Sequence, residues 1–325
     1  MNISQGIIEA SLIFPAKTAI EFEGRSYTYS ELEDLSGKAA TVLQSLDVKQ
    51  GDRVAIVLGN VPAFPVWYYG CLRVGAIAVS VNTRLNLEEV DYIAKDCDAN
   101  ILIQDAKATG EPGGRVLRVS DDGFEIDGEK LPEKEHIGKG FSVQVEPDEA
   151  GLILYTSGTT GFPKGATLSH SNVRSNVCAF NHLCNMQPHD RILLTVPLFH
   201  CFGQNALLNA GLNVGATLVL QRKFDLNETK KLIADHKVSQ LYGVPAMFQI
   251  LLEACEVDDL SSVNYCFSAA ATLAPQTGAE WQKKFNMPIT EGYGLTETSP
   301  FASYNHRLKH IPGSIGVPID VVEMK

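Results

Sequence analysis

Residues 53–104 read RVAIVLGNVPAFPVWYYGCLRVGAIAVSVNTRLNLEEVDYIAKDCDANILIQ, and the spacing of their apolar residues decides the fold. RVAIVL is a short apolar run closed by Gly59, the pattern of a strand buried on both faces. VPAFPVWYYGCLRVGA is too long for a strand, and its prolines stand near its start, where a helix tolerates them. AIAVSV returns to strand, NLEEVDYIAKDC to an amphipathic helix, and ANILIQ to strand. Strand and helix in alternation imply a parallel sheet with helices on its faces.

Toward the N-terminus, YSELEDLSGKAATVLQSL predicts a helix with Leu32, Leu35, Ala39, Val42, Leu43 and Leu46 on one apolar face and a capping box of Ser30 and Glu33. Toward the C-terminus, residues 106–148 break into short charged or glycine-bearing pieces, which places a lobe boundary there and a first lobe over 1–149. From Gly151 the alternation resumes through RILLTV, GQNALLNAGLN, ATLVLQ, a helix capped by Asp225, SQLYG, PAMFQILLEA, VNYCFSAAA, APQTGAEWQKKF and MPITEGYG. The fold class is therefore α/β: two doubly wound lobes of mixed or parallel sheet flanked by helices, the second over 150–311.

The 325 residues carry 27 basic and 38 acidic side chains, a net charge of −11 with no basic run, which disfavours nucleic acid and anionic membranes as partners. The seven cysteines include no C-x-x-C pair, as expected of reduced thiols without zinc. No stretch approaches eighteen apolar residues, and the N-terminus lacks a basic leader, so the expectation is a cytoplasmic protein without a membrane span.

In open α/β sheets, ligands gather where strands end and loops lead into helices. The loop after Tyr155 lies in LYTSGTTGFPKGATLSH, residues 154–170, read as strand, loop, then a helix capped by Ser169 or Ser171. Its glycines, hydroxyls and Lys164 suit a polyphosphate, although G-x-x-x-x-G-K-[ST] does not match, because Pro163 stands where the second glycine is required. By itself the stretch also admits the plainer reading of a flexible Gly/Ser/Thr surface connection. In EGYGLTETSP, Gly292 and Gly294 leave the ring of Tyr293 open to a nucleobase, and Glu297 beside Thr296 is a carboxylate suited to Mg2+ among phosphates, or else the stretch is an ordinary glycine-bearing turn with a solvated glutamate. SAAAT, residues 268–272, would let a flat ring lie on backbone, or simply permit close packing. His200 in PLFHCFG could line an apolar cavity or be a hydrogen-bonded structural residue. A Cys201–His200 nucleophile is rejected because chain neighbours point apart and no third orienting group is evident. No G-x-S-x-G elbow is present.

LYTSGTTGFPKGATLSH together with EGYGLTETSP closely resembles the adenylate-forming superfamily of acyl-CoA synthetases, luciferases and nonribosomal peptide adenylation domains. The resemblance runs from YTYSELEDLS through GDRVAIVLGN, PLFHCFGQN, YGVPAMF and SAAATL to PGSIGVPID, and PLFHCFGQNALLNAGLNVGATLVL looks most like fatty or medium-chain acyl-CoA synthetases. It implies that Thr156, Ser157, Gly158, Thr159, Thr160, Gly161 and Lys164 hold the β- and γ-phosphates of ATP. Tyr293, between Gly292 and Gly294, would stack adenine against Ala270, Ala271 and Thr272. Thr296 would meet the α-phosphate and Glu297 would bind Mg2+. His200 would border the carboxylate, with Phe202, Asn205, Val244, Pro245, Ala269 and Pro300 around the acid; Ala269 replaces a usual glycine, a change that narrows the acyl tunnel or tilts the adenine. Lys164, His200, Thr296 and Glu297 are the expected catalytic set.

The implied reaction is ATP-dependent activation of a fatty or medium-chain carboxylic acid as acyl-AMP, then transfer to the thiol of coenzyme A. The alternatives are loading of an acyl carrier protein through its phosphopantetheine, or a module that binds nucleotide or acyl-adenylate without turnover. The same resemblance makes residues 312–325 the start of a further β subdomain. The family's ribose aspartate, hinge and catalytic lysine find no match here. The expectation is thus a fragment that binds acyl-adenylate but exchanges pyrophosphate slowly.

Overall fold

The computed structural model describes every residue except 109, 111, 124, 132–137, 157–161, 307–308 and 325. The chain opens with α1 (Gln5–Ile13), the hairpin β1 (Thr18–Phe22) and β2 (Arg25–Thr28), and α2 (Tyr29–Ser45). Then come β3 (Arg53–Val57), α3 (Ala63–Arg73), β4 (Ile77–Ser80), α4 (Leu87–Asp96), β5 (Ile101–Asp105) and β6 (Arg115–Val119). The short β7 (Glu125–Ile126) and β8 (Glu129–Lys130) precede β9 (Ala150–Thr156), β10 (Lys164–Ser169) and α5 (His170–Cys184). After β11 (Arg191–Leu194), a π-helix over Phe202–Asn209 runs into α6 (Ala210–Asn213). The remainder is β12 (Thr217–Leu220), α7 (Leu226–His236), β13 (Gln240–Gly243), α8 (Pro245–Ala254), β14 (Tyr265–Ser268), α9 (Pro275–Phe285), β15 (Ile289–Gly294), β16 (Phe301–Tyr304) and β17 (Val317–Pro318).

These strands form two sheets, in the orders β10-β9-β4-β3-β5-β6-β7-β8 and β17-β16-β15-β14-β13-β11-β12-β1-β2. In each, a parallel centre carries antiparallel strands at its ends. This is the α/β architecture that the alternation predicts. The sheets, however, draw strands from both sides of residue 149: β9 and β10 extend the first sheet, and β1 pairs with β12 in the second. The glycine-bearing stretch after Ala106 also contributes strands, β6 to β8, too short to carry a period.

Two local expectations are corrected. The glycine-bearing stretch after Tyr155 does not lead directly into a helix, because β10 turns back antiparallel on β9, with Lys164 opposite Thr156, before Ser169 caps α5. The capping box of α2 is Thr28 with Glu31, not Ser30 with Glu33. A capping residue needs extended backbone, and Thr28 has it at φ −74° and ψ 162°. Glu33 is buried instead, paired with Arg73 of α3 at 2.8 Å. Among the described residues no helix is long and apolar enough to cross a membrane.

His170, the first residue of α5, is buried, and its Nδ1 accepts a hydrogen bond from the Ile3 amide at 3.2 Å. Burial, then the charges of the N-terminal ammonium and Arg174, push its pKa down to about 4 against the opposing pull of Glu149. The unfolded chain takes up this proton near pH 6.5, the folded chain only near 4, so between these values the unfolded state binds more protons. Stability from this group is therefore complete above pH 6.5 and lost as the pH falls toward 4. Urea midpoints measured across that window should drop more steeply in the native chain than in His170→Asn; parallel profiles would refute the assignment.

Candidate active site

A cavity of about 650 Å3 opens where β9, β11, β13, β14 and β15 end. Thr156 closes it on the side of the first sheet. Val196, Pro197, His200, Cys201 and Phe202 line it past β11, Val244 past β13, Ala269 and Ala270 past β14, and Gly294, Leu295, Thr296, Glu297, Pro300 and Phe301 past β15. Residues read separately from four sequence loops thus meet around one space.

Each loop is shaped by an identifiable local cause. Ala270 stands at φ 71°, a left-handed conformation costing roughly 1–2 kcal/mol for a residue with a Cβ, which turns the chain sharply off β14. Gly294 has no room for a side chain: a Cβ there would lie 1.9 Å from the Pro300 carbonyl oxygen. The turn bearing Thr296 and Glu297 is held from α5, where Asn176 Nδ2 donates to the carbonyls of Thr298 at 2.9 Å and Phe301 at 2.8 Å. Asn60, in the loop after β3, reaches across from the first sheet. Its Nδ2 donates to the carbonyls of Val196 and Gln221, each at 3.1 Å, and its Oδ1 accepts from the Leu198 amide at 2.8 Å. Asn60 and Asn176 were not expected from the sequence; the available signal was an asparagine amid apolar neighbours, Val173, Val177 and Phe180 in the case of Asn176.

The π-helix meets the cavity through its first residue, Phe202, and buries its polar side chains behind it. Its wider turn directs Gln204 to Ser80 Oγ at 2.8 Å, and joins Asn209 to the hydroxyls of Tyr68 at 2.8 Å and Tyr69 at 2.9 Å on α3. Asn205, expected beside the acid, is wholly buried: its Nδ2 donates to Cys201 Sγ at 3.2 Å and its Oδ1 accepts from Asn209 Nδ2 at 3.1 Å, and it adds no surface to the cavity. Burial pushes the Cys201 thiol pKa well up, so the thiol stays protonated and non-nucleophilic. His200 faces the cavity with its ring 4.7 Å from that of Phe199; its surroundings, and next the charge of Arg84, lower its pKa and favour the neutral imidazole.

Lys164, exposed at the start of β10, stands in register with Thr156 at the cavity's edge. Ala271 and Thr272 are exposed past β14, and Tyr293, 41% exposed, projects from the neighbouring β15 beside Gly292; these four, like Pro245 at the start of α8, are not part of the cavity lining. Ser157, Gly158, Thr159, Thr160 and Gly161 lie outside the described residues.

A family model described as AMP-binding enzyme matches residues 9–325. The chain is 30% identical to the long-chain-fatty-acid–CoA ligase of Bacillus subtilis, over 96% of its own length and 63% of that protein. It is 31% identical to 4-coumarate–CoA ligase 3 of Oryza sativa, over 93% of the chain and 58% of the relative. Among solved structures, apo MatB from Rhodopseudomonas palustris superposes with a TM-score of 0.86 at 27% identity, covering 98% of this chain and 65% of that one. The chain thus spans less than two thirds of the length of these proteins. With the family model running through both sheets and every wall of the cavity, the chain belongs to the AMP-binding enzymes, and its fold is that of the N-terminal domain of adenylate-forming enzymes.

Proposed function

We propose that the chain carries the nucleotide and acid site of an ATP-dependent acid–thiol ligase. The observation that carries this reading is the single cavity, in which Thr156 and the Thr296–Glu297 turn border an apolar wall made by Phe202, Val244, Pro300 and Phe301. The acid it suits is an apolar monocarboxylate of the fatty or medium-chain class. Among the described residues the lining holds no lysine or arginine to pair with a second carboxylate, and His200 favours its neutral form.

In the first step a carboxylate oxygen of the acid attacks the α-phosphorus of ATP, forming a C–O–P bond as the bond to pyrophosphate breaks. In the second, the thiolate of coenzyme A attacks the acyl carbon, and AMP leaves with the electron pair of the broken C–O bond. Thr156, Lys164 and residues 157–161 hold the β- and γ-phosphates, and the Thr296 hydroxyl donates to the α-phosphate. His200 orients the carboxylate by hydrogen bonding without adding charge, and the apolar wall excludes water that would hydrolyse the anhydride. Tyr293 offers its exposed ring to adenine beside the backbone of Ala270, Ala271 and Thr272. Glu297 is a lone carboxylate on the rim, and no group of three metal-ligating side chains occurs among the described residues, which fits Mg2+ held by one carboxylate and the substrate's own phosphates. When bound, the ion would neutralise charge on the departing pyrophosphate.

Lys164→Ala and Glu297→Gln should each weaken MgATP binding about tenfold, because a charge-assisted contact is worth about 1.5–3 kcal/mol and tenfold is about 1.4 kcal/mol. Calorimetry showing native affinity in both variants would overturn this reading.

A further inference from the structure

The two flanks of the phosphate stretch rest on one helix. Tyr155, next to last in β9, donates from its hydroxyl to Asp96 Oδ2 at 2.6 Å. Phe162, two residues before β10, stacks its ring on Tyr92 with centroids 4.9 Å apart and planes at 25°. Tyr92 and Asp96 are separated by four positions in α4, which puts them on the same helical face. That helix is itself well held. Its start is closed by a capping box of Asn86 and Glu89, and Val90, Ile93 and Ala94 bury its inner side in the first sheet's outer cluster. Tyr92 and Tyr155 pack against that same cluster.

Phe162 is 72% exposed, so burial of its own surface does not account for its placement. The contact with Tyr92 instead fixes where the chain re-enters β10, as the bond to Asp96 fixes where it leaves β9. Burial raises the pKa of the Tyr155 hydroxyl and keeps it a donor.

We propose that Tyr92 and Asp96 are positioning residues for the nucleotide, a proposal that rests on reading residues 156–164 as phosphate-binding. One face of α4 holds both flanks of the stretch, Tyr155 and Phe162, which limits how far apart its two ends can move before ATP arrives. Ordering that would otherwise accompany binding weakens affinity, and the tether removes that cost from the binding step. Neither side chain needs to touch the ligand.

The test is calorimetric titration of the 325-residue chain with MgATP and with AMP, which lacks the β- and γ-phosphates. The double variant Tyr92→Ala with Asp96→Ala should bind MgATP about tenfold more weakly and AMP with native affinity, at an unchanged melting temperature. Tyr92→Phe, which keeps the stack, should restore the MgATP affinity when Asp96 is left in place. Lys164→Ala, measured alongside, separates the two readings. If it too leaves MgATP affinity unchanged, the phosphate assignment fails and this proposal with it. If Lys164→Ala weakens MgATP while the double variant binds it as the native chain does, only the role of α4 is overturned. Equal weakening for MgATP and AMP would likewise overturn it, by showing a general loss of structure.

Discussion

Arg73→Met should lower the free energy of unfolding by about 3–5 kcal/mol, the usual cost of stripping one partner from a buried ion pair. Arg73 is wholly buried at the end of α3 and Glu33 of α2 is nearly so, with Nη1 and Oε1 2.8 Å apart. The guanidinium also donates to the Glu33 carbonyl at 2.8 Å, Ser36 Oγ at 3.0 Å, the Phe141 carbonyl at 2.9 Å and the Gly138 carbonyl at 3.3 Å. Glu33 Oε1 in turn accepts from the Gly140 amide at 3.0 Å. One cation therefore joins two helices to the segment that leads into β9. Methionine keeps an unbranched apolar stem but leaves a carboxylate and several carbonyls without their donor, away from water. The double variant Glu33→Leu with Arg73→Met should recover part of the loss by removing the stranded charge, and not all of it, since the Phe141 and Gly138 carbonyls remain unserved. Urea denaturation at pH 7 measures both. A single variant within about 1 kcal/mol of the native chain would show that the pair is dispensable.

Gly294→Ala should abolish most nucleotide binding and also destabilise the chain. Its Cβ would stand 1.9 Å from the oxygen and 2.7 Å from the carbon of the Pro300 carbonyl, atoms of backbone that cannot rotate away. That oxygen already accepts from the Leu295 amide at 3.0 Å and from the Thr298 hydroxyl. Relief requires the turn between Gly294 and Pro300 to move, and Thr296 and Glu297 move with it. Overpacking of this kind costs about 1–3 kcal/mol of stability. If Thr296 and Glu297 serve the nucleotide as proposed, losing both contacts together should cost about a hundredfold in MgATP affinity, at about 1.4 kcal/mol per tenfold. Gly59→Ala is the control, because nothing lies within 4 Å of a Cβ there. Gly294→Ala binding MgATP like Gly59→Ala would mean that the turn is not part of the nucleotide site.

Helices and parallel strands were legible because their periods are local. The cap at Asp225 was readable from residue type and spacing, and of the two candidates Ser169 and Ser171 the structure selects Ser169. The Thr28 box was misread because Thr28-x-x-Glu31 and Ser30-x-x-Glu33 are nearly the same signal two residues apart, and only the burial of Glu33 against Arg73 separates them. The strand after the phosphate stretch escaped notice because KGATLS is mostly exposed, with little apolar content to announce it. Asn205, which the resemblance set beside the acid, lies on a π-helix and points into the protein interior.

What the sequence determined by itself was the alternation of strand and helix, the loops that follow the strands, and the residue types in those loops. Such features depend on interactions over a few residues, which a single chain displays directly. The tertiary structure alone decided that β1 joins β12 and β9 joins β4, that Asn60 of one sheet steadies a cavity loop of the other, and that Thr156 and Glu297 border one space. Those outcomes depend on which surfaces close together once helices cover the sheets, a choice made by packing between residues as far apart as Ala78 and Leu152 or Ile20 and Leu218, where no sequence period reaches.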